Sequence, residues 1–202
     1  MLIIALNGSP RANGNTAHLL RVVLDEVHAL GATGVFIQVA ELLAGLGHPF
    51  CRHCSSPCSG VCYRDTRLET VLRLFREADG LILGTPVYFG TVSAQLKALW
   101  DKTRALRKEK ALLNVVGAGV VCGTSRFGGQ ETALRTLHAM MLSQGMTVVG
   151  DGHWSDDPGH YGCCAQQPAG EDPEAATRAR VLARRVVEVA GATRPLRRRV
   201  PS

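Results

Sequence analysis

Short apolar runs alternate with helical patterns along most of the chain. The apolar runs lie at residues 2–6, 35–39, 81–84, 113–122 and 146–149, and such runs are typical of strands buried on both faces. Apolar residues recur at helical spacing in the segments 16–30, 68–78, 92–103, 130–144 and 174–190. Five strand–helix repeats predict an α/β fold: a parallel sheet with helices on both faces and right-handed crossovers.

Two segments interrupt this alternation. Residues 41–65 contain four cysteines, and residues 151–172 are rich in Gly, Pro and His. Both are too long for plain connections, and loops of this length are usually functional or disordered. We therefore predict a single domain over residues 1–192, with the cysteine loop 41–65 inserted after the second strand.

The net charge of +6 over 202 residues does not by itself indicate a nucleic-acid partner. Most of the excess lies in the last nine residues, which include Arg194, Arg197, Arg198 and Arg199. Pro195 disfavours continuation of the last helix past Ala192. We predict that residues 193–202 form a loose basic tail that takes no part in catalysis, and we expect no nucleic acid to bind.

The chain shows no feature of a membrane or secreted protein. Its apolar start lacks a basic leader and a cleavage site, and no apolar run is long enough to span a bilayer. Seven cysteines, an odd number, fit poorly with a disulfide scaffold. We expect a cytoplasmic protein with reduced thiols and no membrane partner.

The loop of residues 8–16 joins the first strand to the first helix, where backbone N–H groups face an anion. It lacks the Gly-Lys-Ser/Thr ending of a Walker A loop and the G-x-G-x-x-G pattern of dinucleotide sites. Its small polar side chains suit one terminal phosphate, such as that of FMN. The alternative is an ordinary helix N-cap at Asn15 or Thr16.

Two further loops follow the third and fourth strands. In residues 84–91, Pro86 fixes the backbone, Gly90 permits a bend, and Tyr88 and Phe89 either pack on a flat ring or cover the sheet edge. Residues 122–130 contain two adjacent glycines, which allow a ligand to approach closely. In a sheet of order 2-1-3-4-5 these loops meet the first one at the switch point, where FMN binds in flavodoxin.

Four cysteines have the spacing C-x2-C-x3-C-x3-C in the inserted loop, at Cys51, Cys54, Cys58 and Cys62. Iron–sulfur clusters take four thiolates from a short irregular segment of this kind. Structural zinc usually takes two separated pairs, which this loop lacks. We predict a [4Fe–4S] cluster; structural zinc, a Cys51–Cys54 redox pair and free thiols are the alternatives.

In these segments the chain resembles the flavodoxin-like NAD(P)H-dependent FMN reductases and, among them, the iron–sulfur flavoproteins. The resemblance lies in residues 7–11, 14–16, 84–88, 92–97 and 128–131. It implies a flavodoxin-like, doubly wound, five-stranded parallel sheet. It implies FMN contacts from the first loop at Ser9, Arg11, Asn13, Asn15 and Thr16, from the second at Pro86, Val87, Tyr88, Phe89 and Gly90, and from the third at Thr124 and Gly128.

Iron–sulfur flavoproteins commonly carry C-x2-C-x2-C with a fourth cysteine further on. Here the third cysteine is displaced by one residue and follows Pro57. The resemblance also implies a homodimer or homotetramer with the flavin near a subunit interface.

We therefore predict an FMN-dependent oxidoreductase. It would pass electrons from NAD(P)H to a small acceptor, such as a flavin or quinone, or through the cluster to a redox partner protein. No side chain is an evident general acid or base, and hydride transfer to a flavin requires none. The alternatives are a non-enzymatic FMN and iron–sulfur electron carrier, and a zinc-binding regulatory or scaffold protein.

Overall fold

The computed structural model describes residues 1–198 and contains one parallel sheet with the strand order β2–β1–β3–β4–β5. The strands are β1 (Leu2–Asn7), β2 (Thr33–Gln38), β3 (Gly80–Pro86), β4 (Val116–Gly123), β5 (Thr147–Val148) and β6 (Cys163–Gln166). The helices are α1 (Asn15–Ala29), α2 (Val39–Ala44), α3 (Arg67–Glu77), α4 (Ala94–Asp101), α5 (Arg104–Glu109), α6 (Gln130–Leu142) and α7 (Pro173–Thr193). The predicted α/β, flavodoxin-like fold and strand order are confirmed.

Apolar side chains cover both faces of the sheet. Successive strand residues point to opposite faces, so Ile3 packs with α1 and α7 whereas Ile4 packs with α2, α3, α4 and α6. Both isoleucines are completely buried. No helix within residues 1–198 is long and apolar enough to cross a membrane.

The fifth strand is split into two pieces. β5 pairs with the start of β4 at Val116 and Gly117, and β6 pairs with its end from Val120 to Gly123. Since β3 occupies the other edge of β4, both pieces lie on the same edge. The sequence predicts a strand at 146–149 and a long loop afterwards; the structure shows that the chain leaves the sheet at residue 149 and rejoins it at Cys163. We call residues 149–162 the excursion.

The excursion is fixed to α7 by ion pairs. Arg178 donates to Asp151 at 2.5 Å and to Asp157 at 2.7 Å. Arg184 donates to Asp156 at 2.9 Å. The Asp151 side chain is 1% exposed, so this segment is anchored at its base rather than loose.

The predicted helix 92–103 is two helices. α4 ends at Asp101, and α5 begins at Arg104 after a break at Lys102 and Thr103. The Thr103 hydroxyl donates back to the Trp100 carbonyl at 2.7 Å and accepts from Gln144 at 2.6 Å. These contacts from outside the segment explain why helical spacing alone does not predict the break. The short helix α2 was likewise not predicted.

The C-terminal segment is more ordered than its composition predicts. After α7, residues Arg194–Leu196 form a 3-10 turn, and Arg197 donates to Asp79 at 2.8 Å. Asp79 also accepts from the Leu2 backbone at 2.7 Å, and the Arg197 and Asp79 side chains are only 6% and 2% exposed. The prediction of a loose tail is therefore wrong for Arg197, because a buried carboxylate pairs with it. The rest of the predicted tail, residues 199–202, lies outside the described residues.

Replacing Arg197 by Ala should destabilise the fold. The substitution removes the arginine partner of the buried Asp79 carboxylate, which should lower the free energy of unfolding by about 3 kcal/mol. Urea-induced unfolding measures this loss. Arg198→Ala, at an exposed neighbouring position, is the matched control and should change stability by no more than about 0.5 kcal/mol. Equal effects of the two variants would contradict the assignment.

Candidate functional site

The carboxyl ends of β1 and β3 are held in direct contact. The Gly8 backbone N–H donates to the Gly84 carbonyl at 2.8 Å. A Cβ on Gly8 would lie 2.7 Å from that oxygen and from the Leu96 Cβ, so no larger residue fits. The Ser93 hydroxyl donates to the Gly8 carbonyl at 2.6 Å, and its backbone N–H donates to the Thr85 hydroxyl. The first and second loops therefore start side by side.

Buried amides shape the first loop. Asn7 accepts from the Ser9 N–H and donates to the Arg11 carbonyl and to Gln38. Gln38 in turn donates to the Ser9 carbonyl at 2.8 Å. The Ser9 hydroxyl accepts from the Arg11 N–H at 3.1 Å, and Ser9 is 5% exposed. The loop is therefore held by hydrogen bonds among its own residues and to Gln38.

The first turn of α1 has no cap. Gly14 stands at the N-cap position, no side chain within residues 1–198 caps the turn, and the turn contains no acid. Its leading N–H groups therefore have no helical acceptor and form the positive end of the helix dipole. Thr16 is buried beneath them, and Asn15 accepts from Ala169 at 3.0 Å. Asn13 instead accepts from Arg21 at 2.8 Å, at the outer side of the loop.

The second loop is a tight hairpin turn. Tyr88 and Thr91 exchange backbone hydrogen bonds of 3.0 and 3.1 Å around Phe89 and Gly90. Both central residues have positive φ, 49° and 79°, as a type I′ turn requires. This conformation is unusual for phenylalanine, and it leaves the ring fully exposed at the tip. Strain of this kind is typical of functional sites.

Gln130 holds the third loop, and sequence reasoning missed it. Its amide nitrogen donates to the Ser125 carbonyl at 2.6 Å, and its oxygen accepts from the Gly128 N–H at 2.9 Å. Gly129 has φ of 92°, and a Cβ on it would lie 3.3 Å from the Gly90 Cα. The second and third loops are therefore in contact. Thr124 at the start of the third loop is exposed.

A cavity of about 870 Å³ lies against the third loop, between the first turns of α6 and α7. Its walls include Arg126, Phe127, Cys164 and Pro168. None of the predicted FMN residues lines it. The three predicted loops thus meet at one edge of the sheet, and the 870 Å³ cavity lies beside them.

The four cysteines of the inserted loop surround a smaller cavity of about 330 Å³. Cys51 and Cys58 are half-buried, whereas Cys54 and Cys62 are exposed. Within residues 1–198 no three His, Cys, Asp or Glu side chains are drawn together as a formed metal site. The break between α4 and α5 supplies one wall, with Lys102 as its buried cation.

The family model described as NADPH-dependent FMN reductase matches residues 1–160. The chain belongs to this family. It is 43% identical over 164 residues to an iron-sulfur flavoprotein of Methanocaldococcus jannaschii, covering 80% of this chain and 81% of that protein. It is 34% identical over 204 residues to an iron-sulfur flavoprotein of Archaeoglobus fulgidus, covering 98% and 99%.

Among solved structures, the fold is similar to the flavodoxin, WrbA-like protein from Agrobacterium tumefaciens. The TM-score is 0.68 at 18% identity, over 95% of this chain and 98% of that one. The family membership makes the chain an FMN-dependent oxidoreductase, and the structural likeness supports the fold.

The first, second and third loops of the chain fit a flavin monophosphate. The uncapped, acid-free turn of α1 suits one phosphate, and the second and third loops touch at Gly90 and Gly129. The cysteine cavity fits an anionic cluster by its donor set, because four thiols and a buried ammonium face it. Of the residues that sequence reasoning missed, Gln38 and Lys102 lie far along the chain from what they contact. Gln130 bonds within its own loop, to Ser125 and Gly128.

The other three cysteines belong to the packed part of the molecule. Burial raises the pKa of the Cys122 thiol to about 11. Burial, with Glu131 as a second cause, raises the pKa of Cys164 to about 12. Burial also raises the pKa of Cys163, which is fully buried beside α7. Cys122 and Cys163 are core residues, whereas Cys164 is half-buried and lines the cavity beside the third loop.

Alkylation of the metal-free, reduced protein with iodoacetamide should separate the two groups of cysteines. At pH 8, exposed Cys54 and Cys62 should be labelled, whereas Cys122, Cys163 and Cys164 should remain unlabelled, because only the thiolate reacts. Labelling of Cys164 should rise about tenfold per pH unit below its pKa. Peptide mass spectrometry reads the sites, and labelling of Cys164 as fast as Cys54 would contradict its assigned burial.

Proposed function

We propose that the chain binds FMN across its three loops and uses it to pass electrons from NAD(P)H to a small acceptor or through a [4Fe–4S] cluster. The observation that carries this proposal is the uncapped first turn of α1, which ends a loop whose start is bonded to the second loop through Gly8 and Gly84.

The first loop would hold the phosphate. Thr16 is buried at the helix end, and its hydroxyl would donate to the phosphate. The Asn15 amide nitrogen, the Ser9 hydroxyl and the Arg11 guanidinium complete the donor set. Asn13 is directed toward Arg21 and would contribute through its backbone rather than its side chain.

The second and third loops would hold the ring. Pro86, Val87 and the hairpin Tyr88–Gly90 would lie along one side, with the Tyr88 and Phe89 rings already at the surface. Thr124 and the Gly128 backbone would face the ring from the third loop, in the position that Gln130 fixes. Backbone N–H groups of these loops would stabilise negative charge on the pyrimidine side of the ring.

Bound FMN supplies hydride acceptance from a nicotinamide and electron transfer to the next acceptor. The chain's residues position it and exclude water from one side. No acid or base is needed, which agrees with the absence of a titratable side chain among the proposed flavin contacts other than Arg11 and Tyr88.

Cys51, Cys54, Cys58 and Cys62 are the proposed cluster ligands. The four thiols share one cavity, and Lys102, Arg52 and Arg104 line it against a single carboxylate, Asp101. This excess of positive charge suits an anionic four-thiolate cluster better than a neutral site. Zinc remains the competing occupant.

A single short helix connects the two proposed sites. Ser93 caps α4 beside the flavin loops, and Lys102 follows its last residue at the cysteine cavity. At 1.5 Å per residue, α4 is only about 12 Å long. The proximity favours an internal relay over two unrelated sites. We also propose, from the family resemblance, that the protein is a homodimer or homotetramer in the cytoplasm.

The released flavin should be FMN and not FAD, and Thr16→Ala should weaken its binding. Loss of a hydrogen bond to a charged phosphate costs about 1–3 kcal/mol, or roughly 5- to 150-fold in Kd. Titration of FMN into apo-protein measures this. Thr16→Ser keeps the hydroxyl and should bind nearly as the parent does. Release of FAD, or equal weakening by both variants, would contradict the proposed phosphate site.

Anaerobically purified protein should contain about four iron and four acid-labile sulfide per chain. Replacing Cys58 by Ser should reduce both, whereas Cys122→Ser, in the core, should leave both unchanged. Stoichiometric zinc without sulfide would contradict the cluster assignment and favour the zinc alternative.

Anaerobic oxidation of NAD(P)H by the same sample distinguishes an enzyme from a passive electron carrier, because a passive carrier would not oxidise NAD(P)H.

A further inference from the structure

Among the described residues 1–198, Lys102 is a buried cation without an acidic partner. It is 2% exposed, and the contact of its Nζ within residues 1–198 is the Cys62 Sγ at 3.8 Å. Lysine is almost never fully buried unless paired, because removing an ammonium from water is costly. Something at this position must therefore offset the charge.

The neighbouring carboxylates are committed elsewhere. Asp101 lines the same cavity, but it accepts from Lys97 at 2.7 Å. Glu109, on the next helix, is bonded to Arg76 at 2.8 and 3.0 Å. Neither acid contacts Lys102. The remaining candidate for its counter-charge is the content of the cysteine cavity.

The backbone around Lys102 fixes where the ammonium points. Its own N–H closes the last turn of α4 on the Leu99 carbonyl at 2.9 Å. On either side, the Trp100 indole donates to the Met140 carbonyl at 3.1 Å, and Thr103 is held by Gln144. These anchors to α6 and its end keep the break between α4 and α5 in place. The lysine stem is therefore held in the core with its tip at the cavity wall.

We propose that Lys102 is the counter-charge of the cluster, donating to the Cys62 thiolate and stabilising the reduced form over the oxidised form. The inference rests on the proposed [4Fe–4S] site. One-electron reduction adds one negative charge to the cluster, and a fixed cation in a desolvated wall lowers the energy of that added charge. Hydrogen bonds to cluster sulfurs and burial are known determinants of cluster potential. Lys102 supplies a hydrogen-bond donor and a positive charge from one side chain.

Lys102→Met tests the charge, because methionine retains an unbranched apolar stem and removes the ammonium. Lys102→Arg retains a cation at the wall. Lys108→Met makes the same charge change at an exposed position on α5 and is the matched control. Each anaerobically purified variant is assayed for iron and sulfide, and its cluster is titrated with redox mediators while the reduced form is followed by electron paramagnetic resonance.

At the midpoint of the parent protein, Lys102→Met should lower the ratio of reduced to oxidised cluster about tenfold, equivalent to about 59 mV for one electron. Lys102→Arg and Lys108→Met should stay within about threefold of the parent, roughly half that shift on the same scale. Loss of the cluster from Lys102→Met, with retention in Lys102→Arg, would equally support a charge role.

An unchanged midpoint in a fully loaded Lys102→Met protein would overturn the inference while leaving the cluster intact. Equal shifts in Lys108→Met would also overturn it, because the effect would then reflect overall charge. Cluster loss in both Lys102 variants would show a steric role instead. Absence of iron and sulfide from the parent protein would show that the proposed function itself fails, and the inference with it.

Discussion

The contact between Gly8 and Gly84 is the constraint on which the arrangement of the loops depends. With no side chain on Gly8, the end of β1 lies against the carbonyl of β3 and against Leu96 of α4. Ser93 then bonds to both strand ends. If the backbones stood further apart, the first turn of α1 and the hairpin at Phe89 would no longer border the same edge.

The contact between Gly8 and Gly84 also positions helix α4, and α4 in turn positions the break that follows it. Its cap is fixed by the strand ends, and its last turn is fixed by Trp100 and Thr103 against the end of α6. The cysteine loop closes over the break that follows. The geometry between the flavin loops and the thiols is therefore set by one short rigid element, although the loops themselves are irregular.

The sequence predicts what local pattern controls. Continuous apolar runs identify β1, β3 and β4 because strands covered on both faces have no polar positions, and the alternation with helices predicts a parallel sheet. The strand order is expected from the flavodoxin-like resemblance and not from the alternation. The bounds differ by a few residues, as they depend on caps and hydrogen bonds. The thiol spacing and the loop residues also follow from short motifs, so most candidate site residues are visible before folding.

The missed features share a physical cause, which is pairing over long sequence separations. Gln38 acts on Ser9, Gln144 on Thr103 and Asp79 on Arg197, and each pair is distant in the chain. Composition made Arg197 look like part of a solvated tail, because only the folded chain brings a buried carboxylate to it. Lys102 lies in a segment whose sequence predicts one continuous helix. It is buried because the helix breaks at Lys102 and Thr103, and the contact between Thr103 and Gln144 helps to hold that break.

The split fifth strand gives the fold a replaceable part. In an uninterrupted strand, residue 151 would stand opposite Val120; Cys163 stands there instead, in the same parallel register. The excursion therefore leaves and rejoins one edge of the sheet at nearby positions, so its length does not change the pairing of the strands. Its outer residues are free to diverge, or to be exchanged for a shorter or longer segment, while β4 keeps its neighbours. A scaffold built this way can acquire new recognition beside an old cofactor edge without repacking its core.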